Sequence, residues 1–179
     1  MRVLGVSGSL RAASSNSTVL RLAARVAPAP MRVDVFSGLD ALPFFNPDLD
    51  RALDDPALPA AVRVLRSEIA AADALLICSP EYAHGVCGMM KNALDWLVGG
   101  PEMVEKPVAL INTSPHATHA IAALAETLRT MSVRLVDEAC LAIALPRNVG
   151  EDVLAIDTLV TTPLLGALRA LDRAVRLSS

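Results

Sequence analysis

The distribution of apolar and polar positions along the chain predicts five strands. Short apolar runs, typical of strands buried on both faces, recur along the chain. Residues 32–36 instead alternate at period two, which favours an edge strand. The predicted strands, in chain order, are residues 3–6, 32–36, 74–78, 107–112 and 140–145.

Between these strands, apolar residues recur at helical spacing. Helices are predicted to begin near Ser15 and near Gly88 and to cover residues 62–72 and 121–131. Residues 152–177 are also predicted to be helical, with a break around Thr162 and Pro163, because the residue before a proline avoids helical geometry. Strands that alternate with helices predict an α/β fold with a parallel sheet and helices on both faces.

A cluster of hydroxyl groups joins the first strand to the first helix, after a sharp turn expected at Gly8. A helix N-terminus offers unpaired N–H groups and the positive end of its dipole, so it attracts an anion, and Arg11 adds a full charge. Helix capping alone would need one such side chain. We therefore predict a site for a terminal phosphate, formed by Ser9, Arg11, Ser14, Ser15, Asn16 and Ser17.

Other nucleotide-binding and catalytic motifs do not fit this stretch. No Lys follows Gly8 as in the phosphate loop of nucleotide triphosphatases, and the G-x-G-x-x-G of dinucleotide-binding proteins is missing. The run Gly5-Val6-Ser7-Gly8 places its second glycine one residue too early for a serine hydrolase elbow.

Two further polar loops follow predicted strands, at residues 79–85 and 113–116. Ligands of such sheets lie at the carboxyl ends of the strands, so all three loops are expected to meet around one ligand. The second and third loops are rich in backbone donors and proline, which suits a flat polar ring. Glu81 is the acid of the second loop, and we expect it to accept backbone N–H bonds rather than act as a general base.

Composition narrows the class of protein. The 179 residues fit one domain, residues 1–179, and 53% of them are hydrophobic with only 3% aromatic. This apolar excess predicts a further buried surface, most simply in a homodimer or a tetramer, and the proline-rich segment 42–49 is a candidate for it. The net charge of −3 gives no basic patch for nucleic acid.

The cysteines and the hydropathy pattern predict a reduced, cytoplasmic location. Cys78, Cys87 and Cys140 are odd in number and lack C-x-x-C spacing. No apolar run reaches about 18 residues, and no signal region is evident, so no membrane association is expected. His84, His116 and His119 fall on two loops without ligand partners, which predicts no metal site. Lys91 and Asp95 have the spacing of a helical surface ion pair.

Two motifs resemble the NAD(P)H-dependent FMN reductase family of flavodoxin-like flavoproteins, which includes quinone, azo-dye and chromate reductases. The family's G-S-L-R-x-x-S-x-N is matched by Gly8-Ser9-Leu10-Arg11, Ser14 and Asn16. Its P-E-Y-N-x-S-x-P-G-x-L-K-N-A-[IL]-D-W is matched by Pro80-Glu81-Tyr82, Gly88 and the run from Lys91 to Trp96. The resemblance covers most of the chain.

This resemblance implies a flavodoxin-like fold with five parallel strands in the order 2-1-3-4-5, and FMN as cofactor. The hydroxyl cluster and Arg11 would hold the FMN phosphate. The isoalloxazine ring would lie against the second and third loops, at Pro80, Glu81, Tyr82, Ala83, His84, Gly85, Thr113, Ser114, Pro115 and His116. The chain departs from the family at Ala83 and Gly85, where Asn and Ser are usual, at Cys87, where Pro is usual, and in a fourth loop without its usual glycines.

The implied function is an oxidoreductase that uses FMN to carry electrons from NADPH or NADH to flavin, quinone or a similar small acceptor. The flavin carries the chemistry, so no catalytic side chain is expected. Two-electron, ping-pong transfer is predicted, because one open face over the ring takes donor and acceptor in turn. The alternatives are a one-electron carrier of the flavodoxin type and a degenerate flavin-fold interaction protein. Arg129 and Arg147 are candidates for recognising the extra phosphate of NADPH.

Overall fold

The computed structural model describes residues 1–11, 13–145 and 150–177. Its strands are β1 (Arg2–Ser7), β2 (Arg32–Phe36), β3 (Ala74–Cys78), β4 (Glu81–Tyr82), β5 (Gly85–Val86), β6 (Pro107–Asn112), β7 (Arg134–Leu135) and β8 (Leu141–Ala142). Its helices are α1 (Ser15–Val26), α2 (Ala60–Ala70), α3 (Gly88–Leu97), α4 (His119–Thr130), α5 (Glu151–Leu154) and α6 (Thr158–Arg176).

The main sheet is parallel and has the order β2-β1-β3-β6-β7. This confirms the predicted order 2-1-3-4-5. The fifth strand, however, is divided, because a 3₁₀ turn at Asp137–Ala139 separates β7 from β8 and both pair with β6. The prediction of one continuous strand over 140–145 was therefore wrong, since only its start, at β8, lies in the sheet.

Both faces of the sheet are buried, as the continuous apolar strands predict. Alternate residues of β3 point to opposite faces, with Leu76 against α1 and α6 and with Leu75 and Ile77 against α2, α3 and α4. A third, smaller cluster surrounds the buried Trp96, whose ring meets Phe45 edge-on at 5.1 Å between centroids. The sheet with its two helical layers thus leaves its carboxyl edge open to the loops.

An antiparallel hairpin formed by β4 and β5 was not predicted. Its two-residue turn places Ala83 and His84 in the left-handed region, at φ of 50° and 59°. Such turns usually carry Asn-Gly or Gly, which tolerate this geometry. The sequence Ala-His gave no local signal for the turn, and strands of two residues show no alternation.

The C-terminal helical region divides earlier than predicted. Helix α6 continues through Pro163, so the break expected at Thr162 and Pro163 was wrong. The interruption precedes Thr158, where the side chain of Asp157 caps α6 by accepting the N–H of Leu159 at 2.9 Å. Pro163 costs one helical hydrogen bond, whereas the apolar face with Leu164 stays packed on the sheet. No helix in the described ranges has the length and hydropathy to cross a bilayer.

Candidate functional site

A cleft of about 800 Å³ lies at the carboxyl ends of β1, β3 and β6, where the three polar loops meet. We call it the carboxyl-edge cleft. The predicted site residues that line it are Ser9, Arg11, Ser14, Ser15, Asn16, Pro80, Glu81, Tyr82, Thr113 and Ser114. The convergence of loops that are far apart in sequence follows from the parallel sheet, which places all three on one edge.

The N-terminus of α1 opens into this cleft. The first backbone bond of the helix runs from the N–H of Thr18 to the carbonyl of Ser14, at 2.9 Å. Ser14 is the N-cap and is 4% exposed, yet its hydroxyl makes no capping bond, and the first turn holds no acidic residue. Arg11 is exposed at the cleft wall. The donors that attract an anion are therefore left for a ligand.

Gly8 lies at a bend directly after β1, as expected, and a glycine is required there for close packing rather than for a left-handed φ. In the described chain no glycine has a left-handed φ. A Cβ on Gly8 would lie 2.7 Å from Ser79 Oγ and 2.9 Å from Cys87 Sγ. The Cys87 thiol donates to the Gly8 carbonyl at 2.9 Å. The first and second loops are thus in direct contact at this glycine.

The side chain of Asn16 links all three loop regions from behind the cleft. Its Oδ1 accepts the thiol of Cys78, at the end of β3, and the hydroxyl of Thr113, after β6, both at 3.0 Å. Burial raises the pKa of the Cys78 thiol, so the thiol keeps its proton and acts as a donor.

Glu81 connects the second loop to helix α4. Its Oε2 accepts the backbone N–H of Ala120 at 2.7 Å, and the N-cap residue of α4, Thr118, makes no side-chain capping bond. Glu81 accepts a backbone N–H, as expected, but the donor lies in α4 and not in a loop. The carboxylate therefore replaces the missing cap of a helix that is distant in sequence.

Six predicted site residues do not line the cleft. Ser17 turns inward, where its hydroxyl lies 2.9 Å from that of Ser7. His84, in the hairpin turn, points away and stacks on His119 with 4.4 Å between ring centroids. The other four are Ala83, Gly85, Pro115 and His116, which belong to the same turn or to the exposed part of the third loop. The prediction assigned the second and third loops to the site almost in full, whereas only the first residues of each loop line the cleft.

Several lining residues were missed. Ser79 directly follows a predicted strand, and Asn112 is the last residue of another. The rule that ligands lie at the carboxyl ends of parallel strands therefore applies to both. Leu154 gave no local signal, because it reaches the cleft only through α5. Two ion pairs hold α5 against α1, Arg21 with Glu151 and Arg25 with Asp152, each at 2.7 Å.

The other charged residues singled out from the sequence are not among the described residues that line the carboxyl-edge cleft. Lys91 and Asp95 form the predicted ion pair on α3. Arg129 lies in the last turn of α4, at the end away from the cleft, and faces Glu126 at 3.8 Å. Arg147 lies outside the described residues. Within those residues no group of three or more His, Cys, Asp or Glu side chains is placed to hold a metal ion.

Sequence comparison relates this chain to a family of flavin reductases. The sequence model of the NADPH-dependent FMN reductase family matches residues 1–144. An NAD(P)H-dependent FMN reductase of Pseudomonas aeruginosa is 40% identical over 116 residues, which cover 64% of this chain and 60% of the relative. A quinone reductase of Escherichia coli is 37% identical with the same coverage. The matched region thus spans less than two thirds of either relative.

Solved structures share the whole fold. A flavoenzyme NAD(P)H:(acceptor) oxidoreductase of Paracoccus denitrificans superposes with a TM-score of 0.76 at 26% identity, covering 98% of this chain and 97% of the other. An archaeal flavodoxin superposes with a TM-score of 0.58 at 16% identity, covering 97% and 99%. The second likeness shows a flavodoxin-like fold.

Proposed function

Because this chain belongs to the NADPH-dependent FMN reductase family, we propose that it binds FMN in the carboxyl-edge cleft and passes electrons from NADPH or NADH to a small acceptor. The observation that carries this proposal is the N-terminus of α1. Its N–H groups, the hydroxyl of Ser14, which makes no capping bond, and the guanidinium of Arg11 face one cleft, and the first turn of the helix has no acidic residue. This donor set suits a phosphate dianion.

The rest of the cleft supports a flat ring next to the phosphate position. Its volume of about 800 Å³ lies within the range of cofactor sites. Pro80, Glu81 and Tyr82 would line one side of the ring, and Thr113 and Ser114 would line another. The turn at Ala83 to Gly85 and residues Pro115 and His116 would shape these loops from outside.

FMN, when bound, accepts a hydride from the nicotinamide and transfers electrons to the acceptor. The chain contributes binding, orientation and donors. The Ala120 N–H binds one oxygen of the Glu81 carboxylate, so this group caps helix α4, and we assign it no role as a base. Tyr82, 62% exposed, lies at the rim where donor and acceptor would enter in turn. We expect ping-pong kinetics with flavin or quinone acceptors.

An absorption spectrum of the purified protein, followed by titration with FMN and anaerobic titration with NADH and with NADPH, tests this function. Bound FMN that is bleached by a nicotinamide and recoloured by a quinone is the expected result. Steady-state rates at several fixed acceptor concentrations should give parallel double-reciprocal lines. Failure to bind FMN would contradict the cofactor assignment. Intersecting lines would contradict the proposal that donor and acceptor occupy the same place over the ring in turn.

We also propose a homodimer or a tetramer in the reducing cytoplasm, where the three free cysteines would stay reduced. Phe44 is 91% exposed within segment 42–49, while the adjacent Phe45 packs on Trp96 and anchors that segment. An exposed aromatic side chain on an anchored segment suits a contact between copies. Light scattering at micromolar concentration should give at least twice the chain mass of 18.8 kDa. A monomer would contradict the assembly.

A further inference from the structure

We propose that His84 and His119 form a pH-dependent clamp that positions the β4–β5 hairpin, and with it Tyr82, at the mouth of the carboxyl-edge cleft. The inference rests on the proposed function, because the cleft mouth is where donor and acceptor would enter. It assigns the two histidines as positioning residues, since neither lines the cleft. Their effect on the reaction passes through the hairpin.

The hairpin is a weak element on its own. Strands β4 and β5 have two residues each and form a separate two-stranded sheet. A two-stranded hairpin is at best marginally stable in water. Its turn residues, Ala83 and His84, have φ of 50° and 59°, a region that costs free energy for most residues other than glycine and asparagine. The position of the hairpin therefore depends on its contacts with the rest of the fold.

Two contacts join the hairpin to the first turn of α4. At its base, Glu81 Oε2 accepts the N–H of Ala120 at 2.7 Å. At its tip, the ring of His84 stacks on that of His119, with 4.4 Å between the ring centroids and an angle of 15° between the planes. His119 and Ala120 are consecutive residues, so one helical turn holds both the base and the tip. Tyr82, which lines the cleft, lies between the two contacts along the chain.

The stack at the tip depends on the charges of its two rings. Histidine is the side chain that ordinarily gains or loses its charge between about pH 5 and 8. Two neutral imidazoles, or one neutral ring and one imidazolium, stack favourably. Two imidazolium rings with centroids 4.4 Å apart repel each other. Protonation of both rings therefore opens the tip of the hairpin, whereas the Glu81 contact at the base involves no imidazole.

The surrounding charges offset one positive charge on the pair but not two. The charged and titratable groups on the hairpin, on the loop before α4, on α4 and on the first turn of α3 are Glu81, Tyr82, His116, Glu126, Arg129 and Lys91. Glu126 faces Arg129 at 3.8 Å, and Lys91 pairs with Asp95. Glu81 lies beside the first turn of α4 and favours one positive charge there, whereas the N-terminus of the helix, which begins at His119, opposes it. Repulsion therefore remains once both rings are protonated.

Opening of the tip displaces Tyr82 from the cleft mouth, while the N-terminus of α1 belongs to another loop and keeps its place. Acidification should therefore weaken the binding of substrate at the mouth. With FMN saturating and NADH as donor, the KM for 1,4-benzoquinone should rise about fivefold from about pH 7.5 to about pH 5.5, with a smaller change in kcat. Neither 1,4-benzoquinone nor NADH changes its charge in this range.

Two variants separate stacking from charge. His119→Phe keeps a ring on which His84 can stack but carries no charge, so KM should stay within about twofold of the wild-type value at about pH 7.5 under both conditions. His84→Asn removes the ring and tolerates the left-handed turn, so KM should be raised under both conditions. The matched control is Glu126→Gln, which removes a titratable group further along α4 and should keep the wild-type pH dependence.

A measurement on the wild-type protein needs no substrate and no variant. Nuclear Overhauser cross-peaks between the ring protons of His84 and His119 should be present at about pH 7.5 and lost at about pH 5. Cross-peaks that persist at the lower pH, or a wild-type pH dependence of KM in His119→Phe, would overturn the clamp and leave the FMN function standing. Wild-type protein that does not bind FMN would overturn the function and, with it, the role assigned to the clamp.

Discussion

The two edges of the sheet carry clefts of nearly equal volume but of different chemistry. The carboxyl-edge cleft measures about 800 Å³, and a second cleft of about 780 Å³ lies beside the amino ends of β3 and β6. We call the second one the amino-edge cleft. The charged residues that line it are Asp50, Arg51, Arg66, Glu102 and Lys106.

Two of the cations that line the amino-edge cleft, Arg66 and Lys106, have hydrogen-bond partners within the fold. Arg66, only 3% exposed, donates to Asp50 at 2.6 Å and to the carbonyls of Trp96 and Arg51. Lys106 donates to the carbonyl of Ala72 at 2.6 Å, and partial burial lowers its pKa. These groups stabilise the packing of α2 and α3.

At the carboxyl edge, Arg11 and the hydroxyl of Ser14 have no acceptor among the residues that the structure describes. Arg11 is exposed, and the Ser14 hydroxyl makes no capping bond. The comparison teaches that volume does not identify a binding site here, because the two clefts differ little in size. What distinguishes the carboxyl-edge cleft is a helix N-terminus without a side-chain cap or an acidic residue in its first turn, which suits an anionic ligand.

The largest expected effect is on stability at the amino edge. Arg66→Met keeps the side-chain volume but leaves Asp50 and two carbonyls without their donor. We expect a loss of about 3 kcal/mol in the free energy of unfolding, with unchanged FMN affinity, because a buried ion pair is broken on one side. Urea unfolding monitored by circular dichroism measures it.

The matched control is Arg63→Met, because Arg63 donates to the carbonyls of Leu53, Asp55 and Leu58 but has no carboxylate partner. Its loss of stability should be smaller. Equal losses of stability in the two variants would show that breaking the ion pair costs no more than losing hydrogen bonds to carbonyls.

The opposite pattern is expected for Arg11→Ala at the carboxyl edge. FMN affinity should fall by about 1.5–3 kcal/mol, the strength of a charge-assisted hydrogen bond, while the melting temperature of the flavin-free protein stays unchanged. Arg25→Ala removes the same charge from the far side of α1, where Arg25 pairs with Asp152, and should leave FMN affinity intact. Undiminished FMN binding in Arg11→Ala would refute the phosphate role.

Glu102 is the exception within the amino-edge cleft. Its Oε2 is buried without a hydrogen-bond partner in the described chain, and it lies so close to Gly100 that a Cβ there would be 2.0 Å away. A buried oxygen without a partner is costly, so Glu102→Gln, which replaces the carboxyl group with an amide of similar shape, should raise the free energy of unfolding by about 1 kcal/mol. The exposed Glu105 supplies the control, Glu105→Gln, with no expected change. A destabilised Glu102→Gln would show that the carboxylate has a stabilising partner.

The smallest effect is expected in the hairpin beside the carboxyl-edge cleft. Ala83 has a φ of 50°, and Asn tolerates this region better than Ala. Ala83→Asn should therefore stabilise the protein by about 0.5 kcal/mol, with Ala57→Asn, an exposed site outside the left-handed region, as the neutral control. Calorimetric melting temperatures distinguish the two. A lower melting temperature for Ala83→Asn would show that the turn is not strained.

Features encoded by neighbouring residues were predictable from the sequence. The apolar run of β3 identified a central strand, and the hydroxyl cluster before α1 identified the helix entry that opens into the cleft. In both cases the pattern and the structure depend on contacts within one short segment. Sheet order followed from the family resemblance, since adjacent strands are far apart in the chain.

Features that depend on distant contacts were not predictable. The bend at Gly8 was predicted, but the atoms that exclude a side chain at this position belong to Ser79 and Cys87. The side chain of Asn16 contacts Cys78 and Thr113, which a local motif does not include. Hydrogen-bond partners separated by 62 and 97 positions leave no periodic trace in the sequence.

The divided fifth strand also affects how the protein resists aggregation. A long exposed strand at the edge of a sheet is a template for pairing with another chain. On this edge β7 and β8 contain two residues each and are separated by the turn at Asp137–Ala139, so no long ladder is offered. On the opposite edge, β2 carries Arg32 and Asp34, which form an ion pair at 2.6 Å. Both edges are therefore poor templates for intermolecular β-pairing, and a chain with an uninterrupted fifth strand would lose that protection on one side.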